Sequence, residues 1–547
     1  MNSRSTQEIC SEIVGRIYDR SLASAEAAGP PSLEEIINET IWHESERLRR
    51  SRDASDEDRI FVQRLQRALP KANSGMLKQL LREILERYAG EVSGHFSPAV
   101  YTLATRAVPL GLHALLGGLS PRKVIGASFQ DLVTRFQDLA SITNHLVIQG
   151  ETEALLRLKR HGTLVYVPTH LSNLDSVLLG YGIYRLGLPP VTYGAGLNLF
   201  SNPVTGFFMR NLGAYTVDRL KTDPLYRAIL KEYTAVTLEY GRDNLFFLGG
   251  SRGRSGAVEH RLKLGLLGAT VQAYRGNLRR GRHNPRIYVV PVTLSYPLVL
   301  EAATLVEDYL KESGKARYII ADDEFSRLRR WFEYLKGLVS LDLRIHLTVG
   351  HAMDPFGNRV DDEGRSLDPR GRVIDPAGYL MVDGELEEDP VRDREYTTIL
   401  AERVVESWRS CNVVMPTHAL AFALFERLRR REAGVDIYRL LRGLGPEDGL
   451  DLAEVEETLG QLLSALRDLA RRGGILLGRS VETGGAADVM REGLRAFGSY
   501  HVRPVVERRG TWLHVRDPNL LFYYRNHLEG YGLLDTPDLL AGDGARS

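Results

Sequence analysis

The stretch Thr163–Ser176, TLVYVPTHLSNLDS, decides the fold. Its first half, TLVYVPT, is a continuous apolar run of the kind buried on both faces of a sheet. Its second half carries a helix start, with Ser172 or Asn173 as a natural N-cap and Asp175 in the first turn. Four more runs of the same texture follow: AYTV (Ala214–Val217), NLFFL (Asn244–Leu248), RIYVVPVTL (Arg286–Leu294) and LRIHLTV (Leu343–Val349). Helix-period segments separate them. Apolar strands alternating with helices predict an α/β fold, a central mixed sheet flanked by helices.

Working outward, residues 1–125 read as a helical N-terminal region, with 3.6-residue spacing in Ile60–Ala68 and Met76–Tyr88. Residues 126–415 form the expected α/β domain, and residues 416–547 a mainly helical C-terminal region broken by glycines at Gly443–Gly449 and Gly473–Gly474. Between the last strand and that region, Asp-x-x-Gly recurs every seven residues at Asp354/Gly357, Asp361/Gly364, Asp368/Gly371 and Asp375/Gly378. Asp first and Gly fourth is type I turn chemistry, so a meander of turns is expected; a calcium loop would require ligands at alternate residues.

Composition narrows the function. The 547 residues hold 71 Lys and Arg against 70 Asp and Glu, a net charge of +1, so no chain-wide field exists to hold nucleic acid. Any anion site must be local. Only Cys10 and Cys411 are present, which excludes a disulfide framework or a cysteine-based zinc module. The opening MNSRSTQEIC lacks the apolar core of a secretory signal. The longest apolar stretch, Ala99–Leu119, is interrupted by Arg106, Pro109 and His113 and does not read as a spanning helix. Two readings of it stay open, a buried core helix and a helix lying in a membrane interface.

Chemistry concentrates after the strands. His170 follows the first strand directly, and Asp175 lies five residues on. On one helix the two side chains would point about 140° apart. Across a strand-to-helix turn the carboxylate reaches back, giving a general base with an orienting acid that needs no Ser or Cys nucleophile. A capping Asp beside a structural His is the rival reading. Further along come YGAGLNL (Tyr193–Leu199), LGAYTVDR (Leu212–Arg219), FFLGGSRGRSG (Phe246–Gly256) and VVPVTLSY (Val289–Tyr296). Each places glycine, arginine or a hydroxyl just past a strand, where ligand sites of open α/β sheets assemble. From Arg252 to Arg282 there are eight basic residues against one acid, Glu259. Within that run, Arg252 and Arg254 in a Gly/Ser-rich turn have the character of a phosphate cradle.

Taken in order, these segments resemble the four motifs of the glycerolipid acyltransferases, and among them the large glycerol-3-phosphate acyltransferase branch. His170 and Asp175 match the His-x4-Asp motif; Gly213, Val217, Asp218 and Arg219 match the second; Phe247, Gly250, Arg252 and Arg254 the third; Val290, Pro291 and Val292 the fourth. Lys263/Gly265, Tyr296–Glu301, Asp354–Tyr396, THALAF (Thr417–Phe422) and LLFYYRNHL (Leu520–Leu528) extend the likeness over residues 95–530. One departure stands out: the third motif usually has Glu directly before its first Gly, and this chain has Gly249.

The resemblance implies acyl transfer from acyl-CoA or acyl carrier protein to the sn-1 hydroxyl of glycerol 3-phosphate in phospholipid synthesis, without metal or cofactor. It implies His170 as base, Asp175 as its orienting acid, and Arg219, Gly249, Gly250, Arg252, Arg254, Lys263 and Pro291 around the substrate. Backbone N–H groups at the helix start or the Gly249/Gly250 turn are expected to meet the oxyanion. Lysophosphatidate or dihydroxyacetone phosphate as acceptor, and a catalytically weakened lipid- or acyl-carrier-binding protein, are the alternatives. The expected location is the cytoplasmic side of the cell membrane, peripheral or monotopic.

Overall fold

The structure, a computed structural model, describes residues 6–26, 31–50, 55–102, 145–200, 203–313, 341 and 343–535, apart from 433, 445–447, 500 and 502. The Ala99–Leu119 stretch lies almost entirely outside the described residues, so neither reading of it is addressed by the fold. No helix among those described is long and apolar enough to cross a membrane.

Seven strands build the main sheet: β1 (Leu146–Gly150), β2 (Thr163–Pro168), β3 (Thr192–Gly196), β4 (Ala214–Val217), β5 (Asn244–Leu245), β6 (Ile287–Ser295) and β7 (Ile345–Val349). Their spatial order is β1-β7-β6-β2-β5-β3-β4. The strands β6, β2, β5, β3 and β4 run parallel, β7 opposes β6, and β1 lies parallel to β7. This is the expected mixed sheet. Every residue of β2 and β6 is buried, as their unbroken apolar texture requires. Because the five parallel strands share a direction, the chain segments following β2, β4, β5 and β6 emerge at one edge.

Two anchors fix β2, the strand that leads to His170. At its start, Asp243 Oδ1 accepts from the Leu164 amide at 2.8 Å and from Lys159 Nζ at 2.6 Å. Near its end, Trp408 Nε1 donates to the Val167 carbonyl at 2.9 Å. Trp408 belongs to a helix spanning Pro390–Ser410.

Four N-terminal helices, α1 (Thr6–Glu26), α2 (Leu33–Arg50), α3 (Asp56–Ala68) and α4 (Ser74–Val92), do not stand apart. Ile9, Ile13, Ile84 and Leu85 share one apolar cluster with Tyr226, Ile229, Tyr233 and Val236 of the helix that follows β4. Arg16 adds charged bonds from Nη1 to Glu232 and from Nη2 to Glu239 of that same helix, at 2.9 and 2.6 Å. The C-terminal region is mainly helical but also contains a three-stranded sheet made by Gly449–Asp451, Val506–Arg509 and Trp512–Val515. Its helices pack into the cluster that covers one face of the main sheet.

The Asp-x-x-Gly run forms the expected turns. The Gly357, Gly364 and Gly371 amides donate to the carbonyls of Asp354, Asp361 and Asp368, and all three glycines have positive φ. Short antiparallel strands connect them. The fourth repeat differs: Asp375 caps a 3-10 helix over Pro376–Leu380, with Gly378 inside it. A cavity of about 1180 Å³ borders this meander and does not include His170.

Candidate active site

His170 sits two residues beyond β2, and Asp175 is the first residue of the next helix, Asp175–Arg185. The turn between them closes the gap that a continuous helix would leave. His170 Nδ1 lies 2.8 Å from Asp175 Oδ2, and the same oxygen accepts from the Leu171 and Ser172 amides at 2.7 and 2.9 Å. Asp175 is completely buried. With two amides already donating to Oδ2, that oxygen is placed to accept the Nδ1–H of the imidazole, which leaves Nε2 as the proton acceptor. The imidazole stacks on Phe247, with ring centroids 4.0 Å apart.

The helix start differs from expectation in two ways. Ser172 is not the N-cap; its hydroxyl donates to Glu301 Oε2 at 2.8 Å and accepts from the Leu174 amide at 3.2 Å. Several of the amides expected to meet an oxyanion are already engaged. Leu171 and Ser172 give theirs to Asp175, Asn173 gives its to Glu301, and Gly250 gives its to the Phe247 carbonyl. The physical reason is that two buried carboxylates need these donors in the ground state.

Residues distant in sequence complete the support. The Tyr296 hydroxyl, just past β6, donates to Asp175 Oδ1. Tyr296 is held by its own carbonyl, which accepts from His418 Nε2 at 3.1 Å, while His418 Nδ1 accepts from the Met415 amide. Burial pushes the His418 imidazole well below its usual range, and the neighbouring His527 adds to this, so it stays neutral. THALAF and LLFYYRNHL therefore meet, His418 stacking on His527 with centroids 3.7 Å apart. His527 in turn lines the small cavity that contains His170.

The basic turn is drawn to the base from β5. The Gly253 amide donates to the His170 carbonyl at 2.6 Å. Arg252 Nη1 lies 3.4 Å from Glu301 Oε1, which places Arg252 beside the Ser172–Asn173 turn. Burial pushes the Glu301 carboxyl upward, and Arg252 is the strongest influence pulling it down. Arg219, past β4, lies within reach of the same charge: desolvation and then repulsion by Arg252 lower its pKa. Arg254 and Lys263 both act on Glu259, which lines the cavity with His170. Gly250 has φ +69°, and a Cβ there would stand 2.6 Å from Lys263 Nζ, so the turn requires glycine. Pro291 is placed differently. It lies inside β6, paired with Val167, and Thr293 and Leu294 are the β6 residues that reach the cavity.

Sequence reading did not single out Phe247 for stacking, Tyr296 and Glu301 as partners of the His170 turn, or Glu259. Among the described residues no group of three or more His, Cys, Asp or Glu side chains is arranged to hold a metal.

Residues 151–295, from the helix before β2 to the end of β6, match the family model described as Acyltransferase. That segment is similar to the acyltransferase family. Its relatives include the glycerol-3-phosphate acyltransferases of Pasteurella multocida (strain Pm70), 40% identical over 150 residues, and of Histophilus somni (strain 129Pt), 39% identical over 167 residues. These matches cover 27% and 30% of this chain but only 17% and 19% of those relatives' length. The resemblance read from the motifs of the acyltransferase domain is thus supported by these partial matches. A solved structure, the 1-acyl-sn-glycerophosphate (LPA) acyltransferase PlsC from Thermotoga maritima, matches at 13% identity and TM-score 0.25, covering 56% of this chain and 92% of that one.

Proposed function

We propose that this acyltransferase domain transfers a fatty acyl group from a thioester, acyl-CoA or acyl carrier protein, to the sn-1 hydroxyl of glycerol 3-phosphate. His170 Nε2 takes the hydroxyl proton as the oxygen attacks the thioester carbonyl. The new C–O bond forms, the C–S bond breaks, and the imidazolium returns its proton to the departing thiolate. Asp175 holds the imidazole and stabilises its charged form. Arg219, Arg252 and Arg254 receive the acceptor phosphate, and no cofactor enters the reaction.

The observation that carries this reading is the His170 Nδ1–Asp175 Oδ2 contact of 2.8 Å, made by a wholly buried carboxylate beside an arginine-bearing turn. The names of the partial relatives support the acceptor. Membrane association, peripheral or monotopic on the cytoplasmic side, belongs to the same proposal, because the acylated product partitions into a bilayer. The test is a radiolabelled acyl-transfer assay with glycerol 3-phosphate, lysophosphatidate and dihydroxyacetone phosphate as acceptors and both thioester classes as donors. Label in lysophosphatidate is the expected result. Transfer only to lysophosphatidate, or none to any acceptor, overturns the assignment.

A further inference from the structure

Gly249 and Glu259 occupy one space. A Cβ built on Gly249 would lie 2.0 Å from Glu259 Oε2 and 2.6 Å from its Cδ, so no side chain fits at 249 while Glu259 stays where it is. Backbone conformation is not the reason for glycine there, since only its neighbour Gly250 has a positive φ. Glu259 arrives from ten residues further along, after the basic turn, and its carboxylate fills the site that a residue-249 side chain would enter. It lines the small cavity containing His170, together with Gly253 and Gly256 of that turn. Among the described residues its oxygens accept no hydrogen bond, and its charged neighbours are Arg254 and Lys263. Burial raises its pKa to about 7, against the pull of those two cations. Glu259 is half-buried, so a carboxylate that no protein donor serves stays open to a hydrogen bond from whatever occupies the site.

A phosphorylated polyol docked over this turn would set its reacting hydroxyl at His170 and its phosphate towards Arg254 and Lys263, the cations that act on Glu259. Glu259 shares the cavity lining with His170 and feels both cations, so a hydroxyl between the two ends of such an acceptor is the group to pair with its carboxylate. We propose that Glu259 is an acceptor-recognising residue: in the space Gly249 vacates, its carboxylate accepts a hydrogen bond from the hydroxyl between the acceptor's reacting hydroxyl and its phosphate. The proposal rests on the acceptor being a polyol monophosphate, as under the proposed function. The carboxylate thereby stands, from position 259, in the space that a side chain at position 249 would enter.

The test is calorimetric binding to the full chain, without donor, of glycerol 3-phosphate and of 3-hydroxypropyl phosphate, which differs only in lacking the middle hydroxyl. A hydrogen bond to a charged group predicts that the wild type binds glycerol 3-phosphate roughly ten- to a hundredfold more tightly than the analogue. Glu259→Ala should abolish that preference while holding the analogue within about threefold; a merely structural role would weaken both ligands together. The double variant Glu259→Ala/Gly249→Glu should regain the preference, since a single carboxylate again fills the space. Thermal unfolding of each variant confirms that it is folded, and Glu259→Gln, nearly isosteric, provides a charge-free protein of unchanged volume. Equal binding of the two ligands by the wild type, binding of neither, or a preference that survives Glu259→Ala overturns the proposal. A double variant that stays indifferent overturns the equivalence of the two positions. A wild type with the predicted preference but no acyl transfer would overturn the proposed function and leave this inference standing.

Discussion

The Tyr296 hydroxyl donates to Asp175 Oδ1 across 121 residues of sequence, on the carboxylate oxygen that His170 does not use. The base is therefore held by a chain of contacts that begins in the C-terminal region, running from His418 through the Tyr296 backbone to Asp175 and then His170.

Removing only the end of that chain should be felt in catalysis before stability. Tyr296→Phe keeps the ring and leaves Asp175 with His170 and two amides, so the loss is one hydrogen bond to a charged acceptor, about 1.5–3 kcal/mol if fully expressed. We expect kcat to fall roughly tenfold or more with acceptor KM nearly unchanged. Steady-state kinetics on the purified variant decides the matter, and an unaltered kcat would show that the hydroxyl does not position Asp175.

His170→Ala should lower turnover by roughly 10²- to 10⁴-fold, the usual share of a positioned general base. Asp175→Asn should come close to it, because an amide cannot serve His170 and the Leu171 and Ser172 amides in the same way. Circular dichroism should show both variants folded. Near-normal kcat in the His170 variant would remove it from the role of base.

What could be read from sequence was whatever lies within a strand and the turn after it. The β2 texture, the His170–Asp175 spacing and the arginines after β4 and β5 are local features, and the sheet edge brings them together without further information. Tyr296, Glu301 and Glu259 were not assigned roles because each acts through space. Glu301 meets Ser172 from 129 residues away, and nothing in its own neighbourhood says so. Glu259 did have a signal, as the only acid among eight bases from Arg252 to Arg282, but its meaning depends on the fold of the turn. The amides at the helix start illustrate the same limit: sequence shows which amides lie there, not which buried carboxylates already claim them.

Two arginines should separate by what they do when the site is empty. Among the described residues Arg219 forms no ion pair, whereas Arg252 pairs with the buried Glu301 at 3.4 Å. Either replacement by Ala should raise the acceptor KM roughly tenfold or more, the worth of a charged bond to phosphate. Only Arg252→Ala should also lower Tm, since it strips a cation from a carboxylate that burial already disfavours. Comparing KM and Tm for the pair tests both statements. An acceptor KM unchanged in Arg219→Ala would place that residue outside the phosphate site.

The last prediction concerns stability and Glu259. Its folded-state pKa of about 7 lies above the ordinary 4.5, because burial disfavours the charged form more than Arg254 and Lys263 favour it. A raised carboxyl pKa means that the folded state binds the proton more tightly than the unfolded chain does. The contribution to stability is fully present below about pH 4.5 and is lost as pH rises through 7. At about 1.4 kcal/mol per unit, the gap sets an upper bound of about 3.5 kcal/mol. Glu259→Gln keeps the shape without the titration, so it should match the wild type near pH 4.5 and exceed it above pH 7. Urea unfolding at pH 4.5 and pH 8 measures the difference directly. A variant less stable than the wild type at pH 8 would mean that Arg254 and Lys263 outweigh desolvation, and that Glu259 is a structural ion-pair member. A variant more stable at pH 8 but poorer at binding glycerol 3-phosphate would identify a carboxylate kept in the cavity at a cost to folding.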